Sequence, residues 1–302
     1  MPELSIIIST LNRSHYLFPL LKQIFEQSFT DFELWIIDQS EPDKANEHQL
    51  TLTTQFGDPR LNYVHIPVKS LPHARNVGLA RSSSRFVLFI DDDVILLTNH
   101  FLAAHVAAYH DPSVGGVGGR VVERSIRPNA KRTVSEITRG GRTVENLMGH
   151  ESVRLKSVKG ANMSFRAEVF RRVGGFDRNY TGPALLEESD LAARVVRAGW
   201  MLQFAPQAEL VHLSAPSGGV RVEDAARSEY FRFRSTAYFI MKNRGWRGMT
   251  PFLLTFGLIA ASRTLRWRTP RLPLHLAGAV RDGLRAAQQG PDQDILVKQP
   301  LR

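Results

Sequence analysis

The chain has 302 residues, 43% of them hydrophobic and 23% charged, and no cysteine. That suits one large globular domain with an appendage, or two modest ones, and it excludes disulfide frameworks and thiolate metal sites; a reducing, cytoplasmic setting is the expectation. The net charge of +10 is local, since Tyr230 to Arg302 carries thirteen Lys/Arg against three Asp/Glu and the remainder balances.

The opening "MPELSIIIST" lacks a basic n-region, and its apolar run is short for a signal peptide. "LSIIIS" reads as a buried strand. Leu17, Leu20, Leu21, Ile24 and Phe25 follow at helical spacing, with Ser14 as the expected N-cap. "FELWIID" is a second strand, Asp43 to Gln55 a helix, "LNYVHI" a third strand, "LPHARNVGLARS" a helix and "RFVLFID" a fourth strand. A further helix runs from about Asn99 to Tyr109. This alternation predicts an α/β fold with a parallel, doubly wound sheet and helices on both faces. Ligands of such sheets bind at the carboxyl ends of the strands. Those ends carry Thr10, Asp38 and the run Asp91, Asp92, Asp93.

"VGGVGGRVVE" is a glycine-bearing strand, and Arg124 to Val153 reads as a long loop able to close over the site. "VKGANMSFR" restores a strand, and "AEVFRRVGGF" is a short helix ending at Gly174 and Gly175. "LEESDLAARVVRAGW" is an amphipathic helix opening with acids, and "MLQFAP" and "AELVHL" are two short strands. The first domain is expected over residues 1–223, and a basic helical extension over 224–302. Its helices are expected at Glu229 to Asn243, Thr250 to Arg268 and Pro273 to Gln288. Arginines there interleave with Phe, Leu and Trp, which suits either packing on the first domain or contact with an anionic membrane surface. Nothing approaches the roughly 20 apolar residues of a membrane span.

Three adjacent aspartates repel one another unless a cation offsets them. Apolar residues flank both sides and hold the cluster at the sheet edge. Hard cations such as Mg²⁺ or Mn²⁺ take carboxylates together with substrate phosphates, so a metal–diphosphate site is the favoured reading. A charged, solvated turn is the plainer alternative.

Six segments in order, "SIIISTLNR", "QSFTDFELWIIDQS", "ARNVGLARSSSRFVLFIDDDV", "KGANMSFRAEVFRRVGGFD", "EESDLAARVVRAGW" and a late "VHL", resemble a family 2 glycosyltransferase of GT-A fold over Leu4 to Ser214. The resemblance implies a Rossmann-like nucleotide-diphospho-sugar transferase. Asp91 and Asp93 match the D-x-D metal motif, with Asp92 near the ribose. Asp38 matches the contact to the base, Thr10, Asn12 and Arg13 the nucleoside loop, and Arg75 a residue near the diphosphate or base. Gly160 and Asn162 fall in a segment that shapes the donor-sugar and acceptor pocket. Glu188 matches the catalytic base, with glutamate replacing the usual aspartate, and Asp190 is the alternative base. His212 matches a late histidine that some members use on the metal, although a lone His in an apolar strand is more often structural.

The implied activity is inverting transfer from a UDP-, GDP- or dTDP-sugar to an acceptor glycan or lipid-linked saccharide, in surface polysaccharide or glycolipid assembly. It would take place in the cytoplasm or on the cytoplasmic face of the membrane. A nucleotidyltransferase would need a glycine-rich loop after the first strand, which "STLNRSHYL" lacks. A degenerate sugar-nucleotide-binding member remains an alternative because of Glu188. No nucleic-acid motif is present.

Overall fold

The apolar runs become the strands of one sheet, and the polar groups that end them fall along one edge. The computed structural model describes residues 1–123, 133–215, 217–220, 222, 224–267 and 271–292. In chain order the elements begin with β1 (Leu4–Thr10), α1 (Ser14–Phe25), β2 (Phe32–Asp38), α2 (Pro42–Thr51), β3 (Leu61–His65), α3 (Leu71–Leu79) and β4 (Phe86–Asp91). They continue with β5 (Val94–Leu96), α4 (Phe101–Ala107), β6 (Val114–Glu123), β7 (Val134–Ile137), β8 (Thr143–Asn146), β9 (Arg154–Leu155) and β10 (Asn162–Arg166). The last are α5 (Ala167–Val173), α6 (Glu187–Arg197), β11 (Met201–His212), α7 (Ala225–Trp267) and α8 (Leu272–Gln289).

Two boundaries differ locally from the sequence reading. Ser14 is the first residue of α1 rather than its cap. The cap position belongs to Arg13, whose side chain is engaged elsewhere. The second helix ends at Thr51 and passes into a π-helical turn, Leu52–Phe56.

The main sheet has the order β3-β2-β1-β4-β10-β6-β11-β5, with β9 paired to β11. β1 lies parallel to both β2 and β4, and β2 parallel to β3. The chain leaves β3 at one side of β1 and returns as β4 on the other, so a switch point falls between β1 and β4, where ligands of open sheets bind. Register sets Thr10 beside Asp38 and Ser9 beside Asp91. β10 is antiparallel to β4 and β6, so its N-terminal end, after Gly160, reaches the same edge.

One apolar cluster joins Leu17, Leu20, Leu21 and Ile24 of α1 with Phe101 and Leu102 of α4 on one face of the sheet. Another joins Ala74 and Val77 of α3, Phe170 of α5 and Leu191 and Val195 of α6 on the other. Each buried aliphatic side chain contributes roughly 2 kcal/mol, which makes the middle strands the anchor for everything at their ends. Gly78 lets α3 seat directly on β1, since a Cβ there would lie 2.5 Å from the Ile7 side chain.

Three further expectations are corrected. The region read as one long loop contains a hairpin, β7 against β8; the part from Arg124 to residue 132 lies outside the described residues. The two closing strands are one strand, β11, which runs through a register shift between Ala205 and Glu209. Pro206 sits in that shift, where a residue with no N–H to donate is tolerated. Val94 to Leu96, among the apolar residues that flank the aspartates, is a strand that pairs antiparallel with the end of β11. The aspartate run is therefore the turn between two strands of one sheet.

The extension packs on the rest of the chain. α7 breaks at Gly245, whose left-handed φ of 61° only glycine takes easily. Its described part runs to Trp267, and Arg268 lies outside the described residues. Phe233, Tyr238, Ile240 and Phe252 of α7 share an apolar cluster with Leu276 and Val280 of α8 and with Tyr180, Ala184 and Leu186. No helix among the described residues is long and apolar enough to cross a membrane.

Candidate active site

The turn after β4 sends its three carboxylates in different directions. Asp91 stays partly open on a cavity, whereas Asp92 and Asp93 are buried. Asp93 Oδ2 accepts the Ala215 N–H at 2.7 Å, and His212 Nε2 lies 3.4 Å from Asp93 Oδ1 and 3.9 Å from Asp91 Oδ2. Ligand atoms of Asp91, Asp93 and His212 all fall within 4.8 Å of one another. The β5–β11 pairing makes this possible, because it sets His212 directly opposite Val94.

Burial opposes a charge on His212, but hydrogen bonds to Asp93 and Glu123 and the charge on Asp91 outweigh it and raise its pKa to about 9. Burial opposes the charge on Asp93, but its hydrogen bonds to His212 and the Ala215 N–H and the charges on His212 and Arg13 outweigh it and lower its pKa to about 2. Without a cation, a protonated imidazole balances the clustered carboxylates; a bound cation would replace that proton, because only the neutral imidazole can be a ligand. Two carboxylates and an imidazole converging at a partly open edge form a donor set that fits Mg²⁺ or Mn²⁺.

Asp92 turns away from the cavity. Its oxygens accept hydrogen bonds from Thr10 Oγ1 at 2.7 Å and Arg13 Nη1 at 3.1 Å. Burial pushes its pKa up to about 7 against the pull of Arg13. Arg13 also donates to the carbonyls of Ser217 and Gly218 at 3.0 Å, tying the first loop to the segment after β11. Asn12 adopts a left-handed φ of 57° and donates its backbone N–H to Ser40 Oγ; its side-chain Oδ1 is buried without a hydrogen-bond partner. Asp38 is wholly buried, with oxygens taken by the Ser40 N–H, His48 Nδ1 and the Tyr63 hydroxyl.

Beside Asp91, Arg75 is 3% exposed and acts as a strut. It donates to Asp91 Oδ1 at 3.2 Å and to the Gly160 carbonyl at 2.9 Å, and it pairs with Glu187. Gly160 leaves the guanidinium its room, since a Cβ there would sit 3.0 Å from Arg75 Nη2. Glu187 and Glu188 open α6 after two non-glycine residues in left-handed conformation, Ala184 and Leu186. Such backbone costs about 1–3 kcal/mol per residue and persists where packing enforces it.

Glu188 keeps one side open to the cavity and is otherwise enclosed by protein. That enclosure raises its carboxyl to about 7, against the pull of Arg75. The cavity, of about 600 Å³, is lined by Asp91, His212, Arg75 and Glu188, by Phe233, Phe252 and Phe256 of α7, and by the β7–β8 turn, Gly140 to Thr143.

The sequence pattern described as glycosyl transferase family 2 matches residues 5–174, more than half of the chain. The chain belongs to this family. Among curated relatives, a GalNAc(5)-diNAcBac-PP-undecaprenol beta-1,3-glucosyltransferase of Campylobacter jejuni is 35% identical over 100 residues, covering 32% of each chain. The O-antigen chain rhamnosyltransferase WbaN of Salmonella anatum is 25% identical over 223 residues, covering 70% of this chain and 66% of its own. The matched region thus spans less than two thirds of either relative. In fold, the protein resembles S. aureus TarS in complex with UDP-GlcNAc, with a TM-score of 0.65 and 14% identity over 94% of this chain and 81% of the other. It also resembles the mannosyltransferase PcManGT of Pyrobaculum calidifontis in complex with GDP-Man and Mn²⁺, with a TM-score of 0.58 and 18% identity over 98% and 78%. The architecture is that of the GT-A transferases.

Besides Asp38 and Asp92, two further residues expected at this family's site are turned away from the cavity. Asp190 is wholly buried beneath α6 and is held by Arg194 at 2.9 Å, Lys242 at 2.8 Å and Asn243 at 2.9 Å. Asn162 is equally buried; its side chain bonds His105 and the carbonyls of Arg120 and Ala208. Both lock elements together rather than face the cavity. Conversely, Glu123 and Lys159 join the site's charge network although no motif marks their role. Glu123 ends β6 beside His212, its Oε1 3.6 Å from Nδ1, and pairs with Lys159, which also reaches Glu145 of the hairpin at 2.7 Å. The signal was available: Glu123 closes a strand at the ligand-binding edge, as Asp38 and Asp91 do.

Proposed function

We propose that the protein is an inverting glycosyltransferase that moves a sugar from a nucleoside-diphosphate donor to an acceptor hydroxyl. The convergence of Asp91, His212 and Glu188 on one cavity, with Asp93 buried beside His212, carries this reading. Asp91, Asp93 and His212 would hold Mg²⁺ or Mn²⁺, which when bound supplies positive charge for the departing nucleoside diphosphate. Arg75 keeps Asp91 oriented toward that position. Glu188 accepts the acceptor's hydroxyl proton as its oxygen bonds the anomeric carbon and the bond from that carbon to the donor phosphate breaks. A base poised near neutrality suits the task. The first loop, with Asn12 beside Ser40, supports binding of the nucleoside. The hairpin turn and the aromatic residues of α7 exclude water, which favours transfer over hydrolysis.

The acceptor we infer is a lipid-linked saccharide, met at the membrane surface. The name of the Campylobacter relative, which acts on a PP-undecaprenol saccharide, supports this, as does the basic extension that lines the cavity.

A panel of UDP-, GDP- and dTDP-sugars titrated by calorimetry with Mn²⁺, Mg²⁺ or chelator tests the reading. One donor should bind at least about tenfold more tightly with metal, and Asp91→Ala should abolish that difference. Metal-independent affinity for every donor would refute it. Asp190→Asn should lower stability by about 2 kcal/mol, as befits a buried anchor that loses its charge. Its turnover per folded molecule should stay within about threefold of wild type, as thermal unfolding and a donor-consumption assay would show.

A further inference from the structure

The part of α7 beyond its break is apolar on both sides. Met249, Phe252 and Ala260 face the interior, and Phe252, Phe256 and Ile259 line the cavity. On the opposite side Trp246, Thr250, Leu254, Leu258, Ala261 and Leu265 recur at helical spacing, all exposed. Leu254 is 69% exposed, Leu258 76% and Leu265 80%. Contiguous exposed aliphatic side chains of this size mark a contact surface. Arg247 and Arg266 stand exposed near the two ends of the row, and Arg271 follows. From Tyr230 to Arg281 the sequence has ten Lys/Arg and no Asp or Glu.

We propose that this outer face of α7 lies on an anionic lipid bilayer, with Leu254, Leu258 and Leu265 at the acyl boundary and the arginines among the headgroups. Charge complementarity selects this occupant. A second copy would bring like-charged arginines together, whereas anionic lipid attracts each of them. A helix is about 10 Å across, so the cavity on its inner face would stand roughly that far above the headgroups. That places a lipid-linked sugar within reach; the membrane contact stands on the helix alone, and only the acceptor's route to the cavity rests on the transferase reading.

Co-sedimentation of the full chain with phosphatidylcholine vesicles, with and without phosphatidylglycerol, tests the proposal. The protein should partition at least about tenfold more strongly onto the anionic vesicles and lose most of that preference at 1 M salt. Leu254→Glu with Leu258→Glu should weaken anionic-vesicle binding by about tenfold or more without shifting the melting temperature. Arg247→Gln with Arg266→Gln, which leaves the apolar row intact, should weaken it several-fold. Equal partition onto both vesicle types, or leucine variants that bind like wild type, would overturn the proposal. So would light scattering that shows a wild-type dimer and a monomeric leucine variant. Donor binding measured without vesicles separates the two ideas: its failure alongside intact vesicle binding removes the transferase reading and leaves the membrane face.

Discussion

Glu188→Gln should lower turnover by about 10²- to 10⁴-fold, the range that a positioned general base supplies. The substitution keeps the side chain's size and removes only its ability to accept a proton. Donor binding with metal should persist, because Glu188 stands apart from the cluster of Asp91, Asp93 and His212. The pH profile carries a second signature. Enclosure raises the Glu188 carboxyl to about 7, and the base works only when deprotonated. kcat/KM should therefore rise as pH increases through about 7 and level off above it, and the residual activity of the Gln variant should lack that limb. Initial-rate measurements from pH 5.5 to 9 on both proteins decide the matter. A Gln variant with near wild-type turnover would assign Glu188 to structure and leave the site without a base.

Lys242→Met should destabilise the fold by about 3 kcal/mol, the usual cost of leaving a buried carboxylate without its cation. Lys242 Nζ lies 2.6 Å from Asp177 Oδ2 and 2.8 Å from Asp190 Oδ2, and both carboxylates are fully buried. Tyr238, Arg194 and Asn243 remain as partners, which keeps the loss short of collapse. Burial raises the pKa of Asp177, but Lys242 and Tyr238 outweigh it and hold the group below its ordinary value. The stabilisation this provides is present above the unfolded carboxylate range, about 3.9, and is lost as pH falls toward the folded value. The gap between wild type and variant should thus be full at pH 7 and shrink in acid below about pH 4. Urea unfolding at several pH values measures it; a constant gap would mean that the ion pair is not its source.

The sheet was legible where strands are buried on both faces. β1, β2 and β4 are apolar runs whose identity needs no partner to be recognised, and their polar last residues mark the ligand edge. β5, β7 and β8 are three or four residues long, with patterns that mean little until a distant segment pairs with them. β5 exists because β11 lies beside it, and no local propensity specifies that. The same holds for individual residues. Asp190 reads as one acid among three at a helix start, and its burial follows from Lys242, 52 positions later. Asn162 lies in a motif segment, yet its amide is claimed by His105 and by carbonyls of two other strands. Asp91, Asp93 and His212 do come together, but the ladder between β5 and β11 that joins them is invisible in the local sequence. The aromatic residues of α7 lie in a basic extension by sequence, yet they line the cavity.

That ladder has a thermodynamic consequence. Asp91, Asp93 and His212 ride on strand ends whose backbone hydrogen bonds and flanking core side chains form when the protein folds. The entropy of bringing the three side chains together is then lost at folding and not again when a cation or a donor arrives. Ligand binding should accordingly show a small heat-capacity change and little slowing from conformational search, as expected of a rigid framework.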